Sequence, residues 1–194
     1  MRIESWWCYC RARFFLFINN RPRAIAAWHD VLALNPSDIA ARRSLGFLYG
    51  EIGEFQLAAE QFQKVLKAQP NDADTLFNVG FVYQKLGKHA EAIQALRSAV
   101  RIRPSIDRAW FGLGMSLAAM QLHQEAIPAF ERAAKLQPLN PHALFELGMQ
   151  HYVLKNGEKV DEIIERLRKF DPKVTEQLTR ATASLTQRAT GGPD

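Results

Sequence analysis

Two cysteines, five histidines and a scatter of carboxylates are the side chains that could ligate a metal or attack a substrate. Their spacing removes most of that chemistry. Cys8 and Cys10 stand two apart, and on a helix this points them about 200° from one another, so they neither pair with each other nor start a zinc site. They suit a reducing compartment. His89 and His123 occupy equal places of successive segments, as do Glu91 and Glu125. Histidines that recur in this way read as structural filler. The glutamates two residues further on are expected at the exposed start of a helix, where negative charge suits the dipole. No phosphate-binding glycine loop, nucleophile motif or metal-ligand cluster appears. The reading is of a non-enzymatic chain with no catalytic residue, no metal and no cofactor.

Charge excludes a second class. The net charge is +5 over 194 residues, but Arg2, Arg11, Arg13, Arg21 and Arg23 face Glu4 alone in the first 23 residues. Four of the five net positive charges therefore lie in that stretch. A protein that tracks phosphates needs a basic stripe along its length, and none is present, so no nucleic-acid partner is expected. Arginines interrupt the apolar start, and Asn19-Asn20-Arg21-Pro22 stands where a secretory signal would carry small residues. The longest pure apolar run nearby is Phe14 to Ile18, far short of a membrane span. The default expectation is a cytoplasmic protein, with peripheral membrane association or a missing upstream segment left open.

The elements that position these residues are set by a repeat. Prolines fall at Pro36, Pro70, Pro104, Pro138 and Pro172, at one constant interval. Within each unit a first helix carries a small residue at one place: Ala12, Gly46, Gly80, Gly114 and Gly148. A second helix carries Ala24, Ala58, Ala92, Ala126 and Val160, followed four residues on by Trp28, Phe62, Leu96, Phe130 and Ile164, and three further by Val31, Val65, Ala99, Ala133 and Leu167. Spacings of three and four put these on one helical face. A glycine inside a helix costs roughly 1 kcal/mol relative to alanine. It is expected where a neighbouring helix must come close. Gly53 and Gly87 suit a left-handed residue at the turn between the two helices.

These residues resemble the tetratricopeptide repeat family, whose unit is a helix–turn–helix of about 34 residues. Leu45-Gly46 with Tyr49, Gly53, Ala58, Phe62 and Pro70 carries the likeness, as do Phe77-Asn78-Val79-Gly80 with Tyr83, Gly87, Ala92, Ala99 and Pro104, and Trp110 with Leu113-Gly114, Ala126, Phe130, Ala133 and Pro138. It spans roughly residues 5–172. The resemblance implies an all-α, right-handed α-solenoid of five helix–turn–helix units, about 5–38, 39–72, 73–106, 107–140 and 141–174, so that residues 1–172 form the array. Both end units are degenerate: Arg11 replaces an aliphatic residue, and Val160 and Leu167 stand where small residues belong. After Pro172, Val174, Leu178, Ala181 and Leu185 are spaced four, three and four. This predicts an amphipathic capping helix over 173–189, with a disordered tail over 190–194.

The resemblance also implies where a partner would sit. In this family the first helices line a concave groove that receives an extended peptide or a helix of another protein. The fifth place of each unit holds Tyr9, Arg43, Phe77, Phe111 and Phe145, and the ninth holds Arg13, Phe47, Phe81, Met115 and Met149. These places are one turn apart, so they form an apolar ribbon. Two readings stand. The ribbon is an open docking site, or winding buries part of it between adjacent first helices. Some members clamp a terminal carboxylate; Arg43, Asn78 and Arg108 fall on three of the five clamp places, while Phe47 and Gly112 occupy the others and cannot donate. A full clamp is not expected, and Arg43 and Arg108 are left to flank the ribbon and meet an acidic group. The sixth place reads Cys10, Ser44, Asn78, Gly112 and Glu146, without the asparagine ladder of some long arrays.

The first helix is unlike the rest. Trp6, Trp7, Tyr9, Phe14, Phe15, Phe17 and Ile18 crowd it, interleaved with Arg11 and Arg13. Such a helix is apolar almost all round, which calls for burial on more than one side. Trp6, Trp7, Tyr9, Phe14 and Phe17 are the expected contacts of a homo-oligomer or of a membrane surface; ordinary packing with an exposed aromatic edge is the plainer alternative. The leading functional expectation is a scaffold or adaptor that binds a partner protein in the groove. The alternative is a structural protein that self-assembles through its aromatic N-terminal repeat.

Overall fold

The computed structural model describes residues 3–190, with the side chains of residue 4 and residues 6–183. Eleven helices and no strand appear among them. They are α1 (Ile3–Phe17), α2 (Arg21–Leu34), α3 (Ile39–Glu51), α4 (Phe55–Ala68), α5 (Ala73–Lys85), α6 (His89–Ile102), α7 (Asp107–Ala119), α8 (His123–Leu136), α9 (Pro141–Val153), α10 (Gly157–Arg168) and α11 (Pro172–Thr190). Thr190, expected in the tail, is the last residue of α11; the rest of that tail lies outside the described residues. The chain forms two compact units, Met1–Ile102 and Arg103–Asp194.

In the first unit α1 packs on α2, α3 on α4 and α5 on α6, and α2 and α4 each also touch the next first helix. Ala12, Ala24, Ala27, Trp28, Val31, Ala41, Leu45 and Leu48 make one core cluster, and Ala58, Ala59, Phe62, Val79, Val82 and Ala95 another. Tyr49 packs against both and so joins them. The close approach inferred for the small residue is present. A methyl group built on Gly46 would lie 2.7 Å from the Phe62 ring. Side-chain caps start the first helices: Asp38 Oδ1 accepts from the Ala41 amide at 2.8 Å, and Asp72 Oδ1 from the Asp74 amide at 3.2 Å.

The second unit repeats the scheme with α7 on α8 and α9 on α10, and closes with α11 lying against both α9 and α10. Gly114 faces Phe130, sixteen residues on, as Gly46 faces Phe62. Gly148 breaks the rule. Its nearest neighbour is Leu178 of α11, whose Cδ2 would be 2.7 Å from an added methyl, and Ile164 does not fill the position. In α10, Val160 and Leu167 are buried where α8 buries Ala126 and Ala133. An open cleft of about 460 Å³ between α10 and α11 is lined by Tyr152, Val160, Ile164, Thr179, Thr182 and Ala183. Pro172 is the first residue of α11, a place where its missing N–H costs nothing. The earlier repeat prolines lie in connections between helices.

The turn inside each pair has one conformation. Asn19, Gly53, Gly87, Gln121 and Lys155, which hold the same place in successive pairs, all have positive φ, from 55° to 84°. Two are glycine, as the turn favours; Gln121 and Lys155 bear a side chain in a left-handed region that costs roughly 1–2 kcal/mol for such residues. Gln121→Gly and Lys155→Gly are each expected to stabilise the second unit by about 1 kcal/mol, read as a higher denaturant midpoint at unchanged m-value. A lower midpoint in both variants would count against strain at this turn.

Candidate functional site

Each unit presents its own surface of first helices. In the first unit α3 and α5 touch directly. Phe47 on α3 and Phe81 on α5, both from the ninth place, are exposed at 57% and 43%. Phe77, from the fifth place, is half-buried, and so is Asn78. The Lys85 ammonium stands 5.4 Å from the centre of the Phe81 ring. In the second unit α7 and α9 touch. Met115 is exposed, whereas Phe111, Phe145 and Met149 are half-buried. Phe111 meets the core edge-on, its ring centre 5.7 Å from that of Phe130. The fifth-place phenylalanines are thus partly packed away, while at the ninth place Phe47, Phe81 and Met115 stand out and Met149 does not.

Arg43 differs from the sequence reading. Its Nη2 donates to Asp72 Oδ2 at 2.7 Å and to Gln69 Oε1 at 3.1 Å, so the guanidinium is already held by its own chain. Partial burial of Asp72 acts to raise its pKa, but the hydrogen bond from Thr75 and the charge of Arg43 outweigh it and hold the carboxyl below the usual range. The first unit has the same arrangement one repeat earlier. Tyr9 donates to Asp38 Oδ1 at 2.7 Å and stands edge-on to Trp28 with ring centres 5.0 Å apart. Burial first, then the hydrogen bond and charge of Asp38, push the Tyr9 phenol up to about 12. Tyr9 therefore leaves the group of outward aromatic contacts and locks α1 to the cap of α3. The sequence held a signal for both pairs, since the fifth place of one unit meets the cap of the next first helix.

Arg108 is exposed and lines a cleft of about 120 Å³ with Phe111, Gln137, Asn140 and His142. On the same surface the carboxyl of Glu146 is raised by burial, against the opposing effect of His142.

The histidines act as packing groups. His123 Nδ1 lies 2.8 Å from Oε1 of the buried Gln150, which joins α8 to α9. His89 and His151 keep a buried Nδ1 with no hydrogen-bond partner among the described residues. Burial, the largest influence, lowers the His151 pKa; Glu131 and Glu162 oppose this and Lys159 assists it. No group of three or more His, Cys, Asp or Glu among the described residues is placed to hold a metal. Cys8 and Cys10 are free and half-buried. No described helix is long and apolar enough to cross a membrane.

On α1 the remaining expected contacts face out: Trp6 at 51%, Trp7 at 67%, Phe14 at 56% and Phe17 at 88% exposure. Trp6 and Trp7 stack with their ring planes 15° apart. Leu139, between α8 and α9, is also 76% exposed and lay outside the repeat pattern, so nothing in the spacing marked it.

Comparison with solved structures places the fold. A crystal structure of MamA matches with a TM-score of 0.79 at 21% identity, over 95% of this chain and 96% of that one. A MamA segment from residue 41 to the end, from Desulfovibrio magneticus RS-1, matches with a TM-score of 0.80 at 20% identity, over 93% and 98%. YrrB, described as a TPR protein with an unusual peptide-binding site, matches with a TM-score of 0.78 at 24% identity, over 87% and 88%. No curated protein sequence matches the chain. Tetratricopeptide repeats are matched in the sequence itself over residues 11–73, 48–106, 80–141 and 111–159. With the constant register, the glycine-to-aromatic seats and the helix pairs all in place, the chain belongs to the tetratricopeptide repeat family, and its fold class is that family's all-α solenoid.

Proposed function

We propose that this protein is a non-catalytic interaction scaffold whose first helices receive an apolar segment of another protein, as an extended peptide or a helix. One observation carries the reading. Phe47 and Phe81 stand exposed on adjoining first helices next to the half-buried Phe77, in a repeat type built for protein interaction. Large aromatic rings left in water on neighbouring elements mark a binding surface rather than chance exposure. Met115 and Met149 give the second unit a comparable surface that adapts to varied apolar partners. The peptide-binding site ascribed to YrrB agrees with this use of the fold.

The test uses a phage-displayed random peptide library panned against the full chain. Selected peptides should be rich in apolar residues. A Phe47→Ser/Phe81→Ser double variant should bind them at least about tenfold more weakly while melting as the parent does, because both rings are exposed. Equal binding by the variant would rule out this surface. Self-assembly through the N-terminal repeat is the second reading, favoured by the outward aromatics of α1.

A further inference from the structure

The outer face of α1 inverts the usual order of a surface helix. At 100° per residue, Trp6, Phe17, Cys10, Phe14, Trp7 and Ile18 follow one another around the side opposite the buried Ala12. Arg13 borders this arc on one edge and Arg11 on the other, with Glu4 beside Arg11. A helix of a soluble domain turns charge outward and apolar residues inward. Here α1 is apolar on both sides, and its cations lie at the margins of the outward one.

Comparison with the later repeats narrows what covers the arc. Trp7 occupies the place of Ala41, Thr75, Ala109 and Ala143, all small and all buried. Phe14 occupies the place of Leu48, Val82, Ser116 and Gln150, buried as well. A helix packed at the usual distance of about 8–10 Å needs small residues at such a contact. The indole of Trp7 would hold it off, so an ordinary preceding repeat does not fit. A second copy fits less well too: arc against arc sets exposed Arg13 side chains at the rim of an otherwise apolar contact. Asp30 pairs with Arg11 and Glu51 with Arg21, the latter at 3.1 Å, while Arg13 is exposed and Arg23 lies over the Phe15 ring at 5.7 Å. The first 23 residues carry five arginines against Glu4; with Arg11 and Arg21 paired to Asp30 and Glu51, Arg13 is the exposed cation at the margin of the arc.

We infer that the outward face of α1 is a membrane-surface contact for anionic lipid. Its tryptophan and phenylalanine rings enter the boundary between headgroups and acyl chains, and Arg13 at the edge reaches the lipid phosphates. A fluid interface accommodates side chains of mixed size where a packed helix would not. The contact lies on the surface only, because α1 has 15 residues and spans no bilayer.

The experiment is flotation of the full chain with vesicles of equimolar phosphatidylglycerol and phosphatidylcholine, and with vesicles of phosphatidylcholine alone. The chain should float with the anionic vesicles, with a blue shift of tryptophan emission and a loss of binding as salt rises. Phe17→Glu and Trp7→Glu should each lower the partition coefficient at least about tenfold with unchanged circular dichroism, since both side chains are exposed. Arg13→Glu should weaken binding to the anionic vesicles. Failure of the parent chain to float overturns the inference, and so does equal flotation of the glutamate variants. A concentration-dependent dimer that the same variants abolish, without flotation, assigns the arc to a second copy and also overturns it.

Discussion

Leu178→Ala is expected to destabilise the second unit by about 2–5 kcal/mol, a cost out of proportion to a position so near the end of the described chain. Leu178 has no exposed surface, and its branched end fills the space above Gly148 that in the other glycine-bearing pairs is filled by a side chain from the second helix of the same pair. Truncation would remove the transfer energy of the side chain and open a hole above Gly148, where the Leu178 branch now sits. The lining of that hole would be Gly148 and its neighbours on α9, so the loss falls on α9 and α10 as well as on α11. Denaturant unfolding of Leu178→Ala beside Gln177→Ala, an exposed neighbour, separates the effect from helix propensity; the control should stay within about 0.5 kcal/mol of the parent. Equal midpoints for the two variants would mean that α11 is not seated on α9.

The second large effect belongs to Phe130. It is fully buried against Gly114, and Phe130→Ala is expected to cost about 3–5 kcal/mol. Its coupling to Gly114 gives a sharper test than its size. A methyl at residue 114 would come within 2.7 Å of the Phe130 ring, so Gly114→Ala in the parent should cost about 1–3 kcal/mol through overpacking. This outweighs the roughly 1 kcal/mol that alanine gains over glycine within a helix. In the Phe130→Ala background the ring is gone, and the same methyl should be neutral or stabilising. A double-mutant cycle reads this reversal directly. The cost of the methyl is bounded, because the first pair holds Ala12 at this place and Trp28 sixteen residues on, both buried. Additive costs would show that residues 114 and 130 do not share a seat.

Much of this arrangement can be read from the chain because it rests on periodic residues of extreme size. Glycine opposite phenylalanine, recurring in the repeat register, specifies both the helix pair and how closely it packs. The limits have physical causes. The left-handed turns at Gln121 and Lys155 carry no glycine, so their conformation comes from the register and not from residue type. The Leu178 seat lay hidden because it is filled from α11, outside the sixteen-residue spacing of the other seats. Among candidate site residues, Phe47, Phe81 and Met115 could be placed on a surface from their spacing, while Phe111 and Phe145 turn partly inward. The partners of Tyr9 and Arg43 were not legible for one reason: each has a hydrogen-bonding tip that reaches the cap of the next first helix, Asp38 or Asp72, although Arg43 stays exposed.

Those two tips have a consequence for how a disturbance travels. An N-terminal cap normally concerns only its own helix. Here the carboxylate that starts α3 is also the anchor of α1, and the carboxylate that starts α5 is the anchor of α3. Each of the first two repeats thus hands the beginning of the next first helix a support from one turn within itself, in the manner of overlapping roof tiles. Loosening one first helix withdraws a contact from the start of its successor, so that fraying in the first unit has a direction written along the chain.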